Sequence, residues 1–349
     1  MAEDAYSREN RITFEPGSII GGFKIVKLLG QGGFGDAYLV TEEPPKQLNL
    51  KGKLAMKTEY LSAPKQALNE EVNMLNQIKG ECFPRVFYKG ETDNVRFCIM
   101  PAYGKSIGAV RTERRTLRVI TAVPIWSEML KIIEKLHNQG FVHCDIKPSN
   151  FLLQNDPENP LVLIDFGLAM RYMNPVTHKL YPQPESFRFV GTKKYASIHV
   201  IQHEGVCRRD DLLSWYYSLI EILRGKLPWH AIRDREEMLE AKLSTSLNQL
   251  FTSEMPVNQL TAIWDYLNTL EYESTPNYEY LQEKLEEMKG TSSVSYANGF
   301  DWMSFYHTIM GDESESQASY EEEEKNELVV EQPDQNPDEG KGDCCCNIC

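Results

Sequence analysis

Short apolar runs alternate with polar residues through the first third of the chain. Between residues 23 and 102 these runs are FKIVKLLG, DAYLVT, KLAMKTE, RVFYKG and VRFCIMPA, and they predict strands joined by turns. One stretch among them, PKQALNEEVNMLNQIKG at 64–80, repeats apolar residues every three to five positions and is rich in helix formers. It predicts a helix that Gly80 stops.

The apolar period changes after residue 117. WSEMLKIIEKLHNQG at 126–140 places its apolar residues on one helical face, and LLSWYYSLIEILRG at 212–225 is apolar nearly all round. A sheet-rich half followed by a helical half predicts an α+β protein with two lobes. We expect a cleft near residues 100–105, where the two halves meet.

Charge divides the chain into a folded part and a tail. Thirteen acidic and two basic residues between 312 and 343 contribute −11 of the net charge of −14, so the other residues carry only −3. A block of like charge with few apolar residues is typical of a disordered segment. We therefore expect an N-terminal extension at 1–18, a folded domain at 19–311 and an acidic tail at 312–349.

Composition narrows the class of protein. The chain is 41% hydrophobic and 25% charged, which is typical of a globular protein. It has no apolar run of the roughly 18 residues that span a membrane, and its polar N-terminus does not resemble a secretory signal. We expect a cytoplasmic monomer without a nucleic-acid partner.

Four short motifs lie on the predicted strands and loops. Gly30, Gly32 and Gly35 have a G-x-G-x-x-G spacing, which alone is a weak signal. The strand DAYLVT follows them, so a hairpin over a triphosphate is favoured over a dinucleotide fold. The other motifs are LAMK at 54–57, HCDIKPSN at 143–150 and DFG at 165–167.

In this order, the motifs resemble the signatures of the protein kinases, and the resemblance implies a bilobal kinase fold with a sheet-rich N-lobe and a helical C-lobe. It also implies transfer of the γ-phosphate of ATP, with Mg²⁺, to a protein hydroxyl. Asp145 would accept the hydroxyl proton and Lys147 would neutralise the departing phosphate. Asn150 and Asp165 would hold Mg²⁺, and Lys57 would hold the α- and β-phosphates.

The same resemblance implies an ion-pair partner for Lys57 on the following helix. Glu70 and Glu71 compete for this role, and they point about 100° apart on a helix. We expect Glu71, because it lies nearer the apolar face of that helix.

The hinge of the ATP site is also implied by the resemblance. Met100 falls at the gatekeeper position, and Pro101 begins the hinge. Proline has no N–H, so the donor to adenine should come from Tyr103, two residues on.

Two further stretches, GTKKYASIHV at 191–200 and CRRDDLLSWYYSLIEILRGKLPW at 207–229, resemble the casein kinase 1 superfamily. The helix at 63–80 resembles that of its tau-tubulin kinase branch. The resemblance covers roughly residues 23–229, with weaker likeness to about residue 310, and implies a Ser/Thr kinase.

By the same resemblance, Lys194 and Arg233 fall at or near basic positions of the family, which favours acidic or phosphate-primed substrates. Four further basic residues lie close in sequence and could complete an anion pocket: Arg188, Lys193, Arg208 and Arg209. A solvated basic surface is the alternative.

The sequence departs from the kinase pattern at Ala37, where a valine usually covers adenine, and at two further places. Cys144 replaces the arginine that, in many kinases, reads a phosphate on the activation loop, so this mode of switching should be lost while activity survives. We expect Cys144 to act as a small buried hydrophobic residue. The A-P-E glutamate is absent as well. Asp211 matches the aspartate that braces the catalytic loop, where its carboxylate should be fully hydrogen-bonded.

The chain ends in DCCCNIC. Three adjacent cysteines suit a zinc site poorly, whereas Cys346 fits a loose prenylation pattern. Cys344 and Cys345 beside it would be palmitoylation sites. The tail therefore predicts attachment to a membrane surface through lipid.

Two other functions compete with an active protein kinase. A pseudokinase scaffold is disfavoured because Lys57, Asp145, Asn150 and Asp165 are all present. A small-molecule kinase shares the H-x-D-x-x-x-x-N loop, but that type lacks the DFG and GTKKYAS segments found here.

Overall fold

We describe a computed structural model of the chain, which covers residues 13–31, 35–43, 52–62, 67–114, 116–290 and 300–310. The first part is an antiparallel sheet of six strands in the order β1-β2-β3-β4-β6-β5. The strands are β1 (Ile19–Ile20), β2 (Phe23–Gln31), β3 (Asp36–Glu42), β4 (Leu54–Tyr60), β5 (Tyr88–Glu91) and β6 (Val95–Pro101).

Alternating residues give the sheet a buried face. Along β2, Phe23 and Ile25 are buried while Lys24 is exposed, and along β3 Tyr38 and Val40 are buried. Because side chains alternate across a strand, this pattern places one apolar row of each strand in a common core. The predicted strands are all present, although β5 begins at Tyr88, later than the run that predicted it.

Helix α1 (Ala67–Leu75) packs on this sheet through Leu68 and Val72. It ends at Leu75, before the predicted stop at Gly80, and the backbone of Lys79 beyond it pairs with a side chain. The Lys79 N–H donates to Gln139 Oε1 at 2.7 Å, and Gln139 Nε2 donates to the Lys79 carbonyl at 2.9 Å.

Helices form the second part, whose largest cluster of buried side chains is centred on α3 and α5. Trp126 and Trp215 lock these two helices together, since each indole N–H donates to the other residue's carbonyl, at 3.2 and 3.1 Å. The helices are α2 (Ile107–Arg114), α3 (Val119–His137), α4 (Ile198–Ile201), α5 (Arg208–Arg224), α6 (Arg235–Ser244), α7 (Leu247–Leu250), α8 (Val257–Asn268), α9 (Tyr278–Lys289) and α10 (Trp302–Met310).

Two small antiparallel sheets lie where the sheet part meets the helices. They pair β7 (Phe141–Val142) with β10 (Met170–Arg171) and β8 (Phe151–Leu153) with β9 (Leu161–Leu163). The loops between these strands carry the polar clusters at 143–150 and 165–167. The α+β, two-lobed architecture is confirmed, and its polar clusters lie at the junction of the two parts.

Candidate active site

Lys57, on β4, lies between two carboxylates. Its Nζ is 2.7 Å from Glu71 Oε2 on α1 and 2.8 Å from Asp165 Oδ1 in the loop after β9. Glu71 is buried, whereas Glu70 is exposed, because adjacent helical residues point about 100° apart. The structure therefore joins the sheet, α1 and the DFG loop through one ammonium group.

The charges of these three groups shift one another's pKa. Burial alone would lower the pKa of Lys57, but the charges of Asp165 and Glu71 raise it above its ordinary value. Lys57 is in turn the main cause that holds the pKa of Asp165 well below its ordinary value, with smaller contributions from Lys147 and His143. Burial raises the pKa of Glu71, and Lys57 opposes that rise. Lys57 and Asp165 form an ionised pair at neutral pH.

The DFG loop separates a polar from an apolar side chain. Asp165 has a left-handed backbone with φ 67° and ψ 69°, a conformation that is uncommon outside glycine but more frequent for aspartate than for most other residues. The next residue, Phe166, is buried against His143 at 5.0 Å and Phe83 at 5.9 Å between ring centroids. Its N–H donates to Glu71 Oε1 at 3.3 Å. The turn thus directs the Asp165 carboxylate toward Lys57 while Phe166 enters the core.

Asp145 is a buried carboxylate with partners on both oxygens. Its Oδ1 accepts the Thr192 N–H at 2.9 Å and the Thr192 hydroxyl at 2.7 Å, while Oδ2 lies 3.3 Å from Lys147 Nζ. Asn150 Nδ2 donates to the Asp145 carbonyl at 2.9 Å. The three predicted residues of the 143–150 cluster are therefore brought together.

The two predicted loops are tied to each other next to the site. His143 Nε2 donates to the Ile164 carbonyl at 3.0 Å, and the Ile164 N–H donates to the Asn150 carbonyl at 2.9 Å. Ile164 precedes Asp165, so these bonds fix the DFG loop against the loop that carries Asp145. Both carboxylates therefore belong to one site.

Asp211, at the start of α5, braces this loop as the sequence predicted. Its two oxygens accept the backbone N–H groups of His143 at 2.7 Å and Cys144 at 2.9 Å. His137 Nε2 also donates to Asp211, at 2.9 Å, and the Tyr278 hydroxyl donates to the other ring nitrogen at 2.6 Å. This buried carboxylate is fully hydrogen-bonded, and its prediction is confirmed.

Cys144 is half-buried and has a left-handed backbone with φ 69°. Burial raises the pKa of its thiol well above the ordinary value, and the carboxylate of Asp211 adds to this rise. A protonated thiol is a poor nucleophile. Cys144 packs against the helical core, which agrees with the expected apolar role.

The glycine hairpin is described in part. Gly30 pairs with Ala37 one residue before the end of β2, and Gly32 lies outside the described residues. A Cβ at Gly35 would lie 1.9 Å from the Thr58 carbonyl oxygen. Only glycine allows this close approach of the hairpin to β4, one residue from Lys57.

The predicted hinge connects β6 to α2. Met100 is buried opposite Ala55, and Pro101 pairs with Leu54 at the end of β6. The N–H groups on either side of Tyr103 are engaged within the protein, that of residue 102 at 2.9 Å and that of residue 104 at 2.7 Å. Within the described part of the chain, the Tyr103 N–H has no such partner, so it is the backbone donor of this segment that remains for a ligand.

The predicted basic cluster is not one pocket. Arg208 and Arg209 are buried and donate to the carbonyls of Glu273 and Leu270, both at 3.1 Å. Their proposed part in an anion pocket is wrong, because these groups support the helices. Arg188 and Arg233 are exposed, whereas Lys193 is half-buried and its Nζ donates to the Arg233 carbonyl at 3.3 Å.

Lys194 lies over a buried carboxylate. Its Nζ is 3.4 Å from Glu221 Oε1 on α5, and Glu221 also accepts the Tyr195 hydroxyl at 2.5 Å and Arg111 at 3.1 Å. Glu221 and Thr192 are site-supporting residues that the sequence reasoning missed. Thr192 belongs to the GTKKYAS segment. Its hydroxyl, directly after Gly191, was the feature from which a contact with the catalytic loop could have been predicted.

Three predicted site residues, Cys344, Cys345 and Cys346, lie outside the described residues. Over the described ranges, no helix has the length and apolar character needed to cross a membrane. The same ranges contain no group of three or more His, Cys, Asp and Glu side chains able to hold a metal ion.

This geometry, a lysine held by two carboxylates beside a catalytic-loop aspartate, defines a phosphotransferase class of site. The family description "Protein kinase domain" matches residues 23–289. The chain therefore belongs to the protein kinase domain family.

The chain is similar to two proteins named as serine/threonine-protein kinases. A probable serine/threonine-protein kinase of Dictyostelium discoideum is 31% identical over 297 residues, which cover 83% of this chain and 58% of the relative. The serine/threonine-protein kinase spe-6 of Caenorhabditis elegans is 31% identical over 291 residues, which cover 80% of this chain and 75% of the relative. The chain thus spans little more than half the length of the first relative.

Proposed function

We propose that the chain is an active serine/threonine protein kinase that transfers the γ-phosphate of ATP, with Mg²⁺, to protein hydroxyls. The observation that carries this proposal is the contact of Lys57 with both Glu71 and Asp165, in a site that also contains Asp145. Membership of the kinase family and two relatives named as serine/threonine kinases support it. No observation favours a pseudokinase, because each polar group of the reaction is present.

The donor atoms fit a magnesium ion completed by phosphate. Mg²⁺ prefers hard oxygen ligands and takes only one or two protein carboxylates beside substrate phosphates. The Asp165 side chain is 42% exposed and ionised, and the Asn150 amide, held through Nδ2, would offer its oxygen. The bound metal would neutralise the charge that develops on the phosphoryl group.

Asp145 would accept the hydroxyl proton at Oδ2. Its other oxygen, Oδ1, already accepts two hydrogen bonds from Thr192, which fix the carboxylate. Lys147 Nζ, 3.3 Å from Oδ2, would place a positive charge beside the departing phosphoryl group. The chemistry rests on positioning and charge neutralisation, as phosphoryl transfer requires.

ATP would be held between the hairpin and the hinge. Lys57, fixed by Glu71, would bind the α- and β-phosphates, and the backbone at Gly30, Gly32 and Gly35 would lie over them. Adenine would bind at the hinge beside Met100, with the Pro101 carbonyl as acceptor and the Tyr103 N–H as donor.

The preferred substrates would be acidic or phosphate-primed, as in the casein kinase 1 superfamily that the 191–229 region resembles. Arg233 supports this proposal, because it is an exposed basic residue that contacts the half-buried Lys193, next to the segment that begins at Thr192. Lys194 contributes less than the sequence suggested, since it pairs with Glu221. Arg233→Glu should raise KM for a primed peptide more than for an unprimed one, and the exposed Lys226→Glu is the matched control. Equal effects on both peptides would remove Arg233 from the proposal.

Lipid attachment at Cys344, Cys345 and Cys346 would tether the kinase to a membrane. Two chains would be needed, because one acyl chain binds only marginally and the acidic tail is repelled by anionic lipid. Changing these three cysteines and Cys349 to serine should move the protein into the soluble fraction of cells. Equal solubility of the variant and the wild type would reject the tether.

Transfer of labelled γ-phosphate to casein tests the kinase proposal. Asp145→Asn should lose nearly all transfer while it still binds ATP, because the amide cannot accept the hydroxyl proton. Asp93→Asn, in the exposed turn between β5 and β6, should behave as wild type. Equal rates of phosphate transfer by wild type and Asp145→Asn would contradict the proposal that the chain is an enzyme.

A further inference from the structure

Lys242, on α6, is a buried lysine outside the site described above. Its side-chain ammonium donates to the carbonyls of Lys193 at 3.0 Å, Lys194 at 3.1 Å and Ala196. An ammonium group has three N–H donors, so three carbonyls satisfy it completely. None of the carboxylates in the described residues pairs with it.

Two aromatic rings complete the surroundings of Lys242. Its Nζ lies 4.7 Å from the ring centroid of Tyr217 and 5.1 Å from that of Trp229, within the range of cation–π attraction. Trp229 also donates its indole N–H to the Lys194 carbonyl at 2.9 Å. A buried cation is costly unless polar groups surround it, and here all of them belong to one stretch of backbone or to the rings beside it.

That stretch, residues 192–197, is called here the substrate segment. Its first residue, Thr192, holds the carboxylate of Asp145. Its last residue, Ser197, donates its hydroxyl to Asp210 on α5. The carbonyls that Lys242 binds lie between these two ends, so Lys242 holds the middle of the segment.

We infer that Lys242 is a positioning residue that fixes the substrate segment against the helical part, so that a protein substrate is presented to Asp145. The inference rests on the proposed function, because Thr192 places the segment directly beside the proposed proton acceptor. Lys242 contacts neither Lys57 nor the hinge. Replacing it should therefore weaken the use of the protein substrate and leave ATP binding unchanged.

Steady-state kinetics of Lys242→Met with casein and ATP test this role. We expect KM for casein to rise about tenfold or more, because small displacements of a reacting group are costly, whereas KM for ATP and the slow hydrolysis of ATP by water stay near wild type. Lys289→Met, on α9 where the lysine pairs with Glu286, is the matched control and should change neither. Equal changes in the KM values for casein and ATP, or no change in either, would overturn the inference.

A milder variant covers the case in which Lys242→Met does not fold. Trp229→Phe keeps a ring beside Lys242 and removes the indole donor to the Lys194 carbonyl, so it should change KM for casein in the same direction by a smaller factor. An unchanged KM for casein in this variant would count against the anchoring of the segment.

Hydrogen exchange separates this inference from the proposed function. In Lys242→Met, or in Trp229→Phe if the first does not fold, amides 193–197 should exchange faster while those of residues 141–153 keep their wild-type rates. If amides 193–197 exchange faster in the variant and the wild-type protein has no kinase activity, the anchoring stands and the kinase proposal is refuted. Unchanged exchange in an active kinase would refute the anchoring alone.

Discussion

Two lysines, Lys57 and Lys242, use a positive charge in opposite ways. Lys57 has a 33% exposed side chain and contacts two carboxylates, so its pKa is raised above the ordinary value despite burial. Lys242 is 5% exposed and contacts carbonyls, and burial lowers its pKa well below the ordinary value. A lysine that binds a ligand must be accessible to solvent and is held by carboxylates, as Lys57 is. A lysine that holds backbone carbonyls in place can be fully buried, as Lys242 is.

The two lysines also act at opposite ends of one stretch of chain. Lys57 contacts Asp165, where the segment from Asp165 to Ser197 begins, and Lys242 contacts the carbonyls of residues 193, 194 and 196 near its end. Asp145 lies between them and contacts this stretch through Thr192. Each end is fixed to a different lobe. The stretch is therefore held across the site by protein contacts, without a phosphate group attached to it.

The largest expected effect tests the role of Lys57. Lys57→Met should lower kcat/KM for casein by about 100-fold or more, because it removes the cation that neutralises phosphate charge and that positions Asp165. Lys89→Met, an exposed lysine on β5 of the same sheet, is the control for the surface charge. A Lys57→Met enzyme with wild-type kcat/KM would remove the contrast between the two lysines.

Sequence reasoning found Lys57 and missed Lys242 for a physical reason. The partners of a ligand-binding group lie in short local patterns, such as DFG and HCDIKPSN, whose spacing the chemistry fixes. Lys242 binds backbone carbonyls, which every residue carries, so no residue pattern marks its partners. The same limit explains Arg208 and Arg209, whose basic character suggested an anion pocket although their guanidinium groups donate to buried carbonyls.

The fold was predicted better than its boundaries. The periodic runs placed five strands of the sheet together with α1, α3 and α5, because apolar spacing reports directly which face is buried. The two-residue strand β1 was not predicted. The end of α1 was missed, and beyond it the backbone of Lys79 pairs with Gln139, 60 residues away, a contact that no local pattern marks. Glu221 was missed for the same reason, as its partners come from α2 and from the substrate segment.

A second prediction concerns the helix α5, which supports both regions. Asp211→Asn should lower the free energy of unfolding by about 2 kcal/mol, because one amide oxygen cannot replace two ionised acceptors for the N–H groups of His143 and Cys144. Activity should also fall as the catalytic loop loosens. Urea denaturation measures the first effect, with Asp265→Asn, at an exposed position of α8, as control. Equal stability of Asp211→Asn and wild type would contradict the brace.

The pH dependence of stability gives a third, smaller contrast. The folded pKa of Lys57 is raised, so the stability that wild type gains over Lys57→Met should be complete below about pH 10.4, the unfolded value, and be lost above it. The folded pKa of Lys242 is lowered, so the unfolded chain binds more protons between that folded pKa and about pH 10.4, the unfolded value. The stability of wild type relative to Lys242→Met should therefore rise with pH in that range.

Urea denaturation of the three proteins between neutral pH and the alkaline limit measures this contrast. Parallel curves for Lys57→Met and Lys242→Met would show that the two ammonium groups share one environment, against the distances found here.

The smallest expected effect is that of removing phosphate from the stretch between Asp165 and Ser197. Thr177 and Ser186 are exposed there, so they are accessible to modification, but Cys144 stands where an arginine would bind such a phosphate. The stretch is already held by Lys57 at its start and by Thr192, Ser197 and Lys242 at its end. Phosphatase treatment of the purified kinase should therefore leave most of its activity toward casein, with Thr177→Ala and Ser186→Ala as unmodifiable controls. Collapse of wild-type activity after treatment, with these variants inactive from the start, would mean that protein contacts alone do not order the stretch.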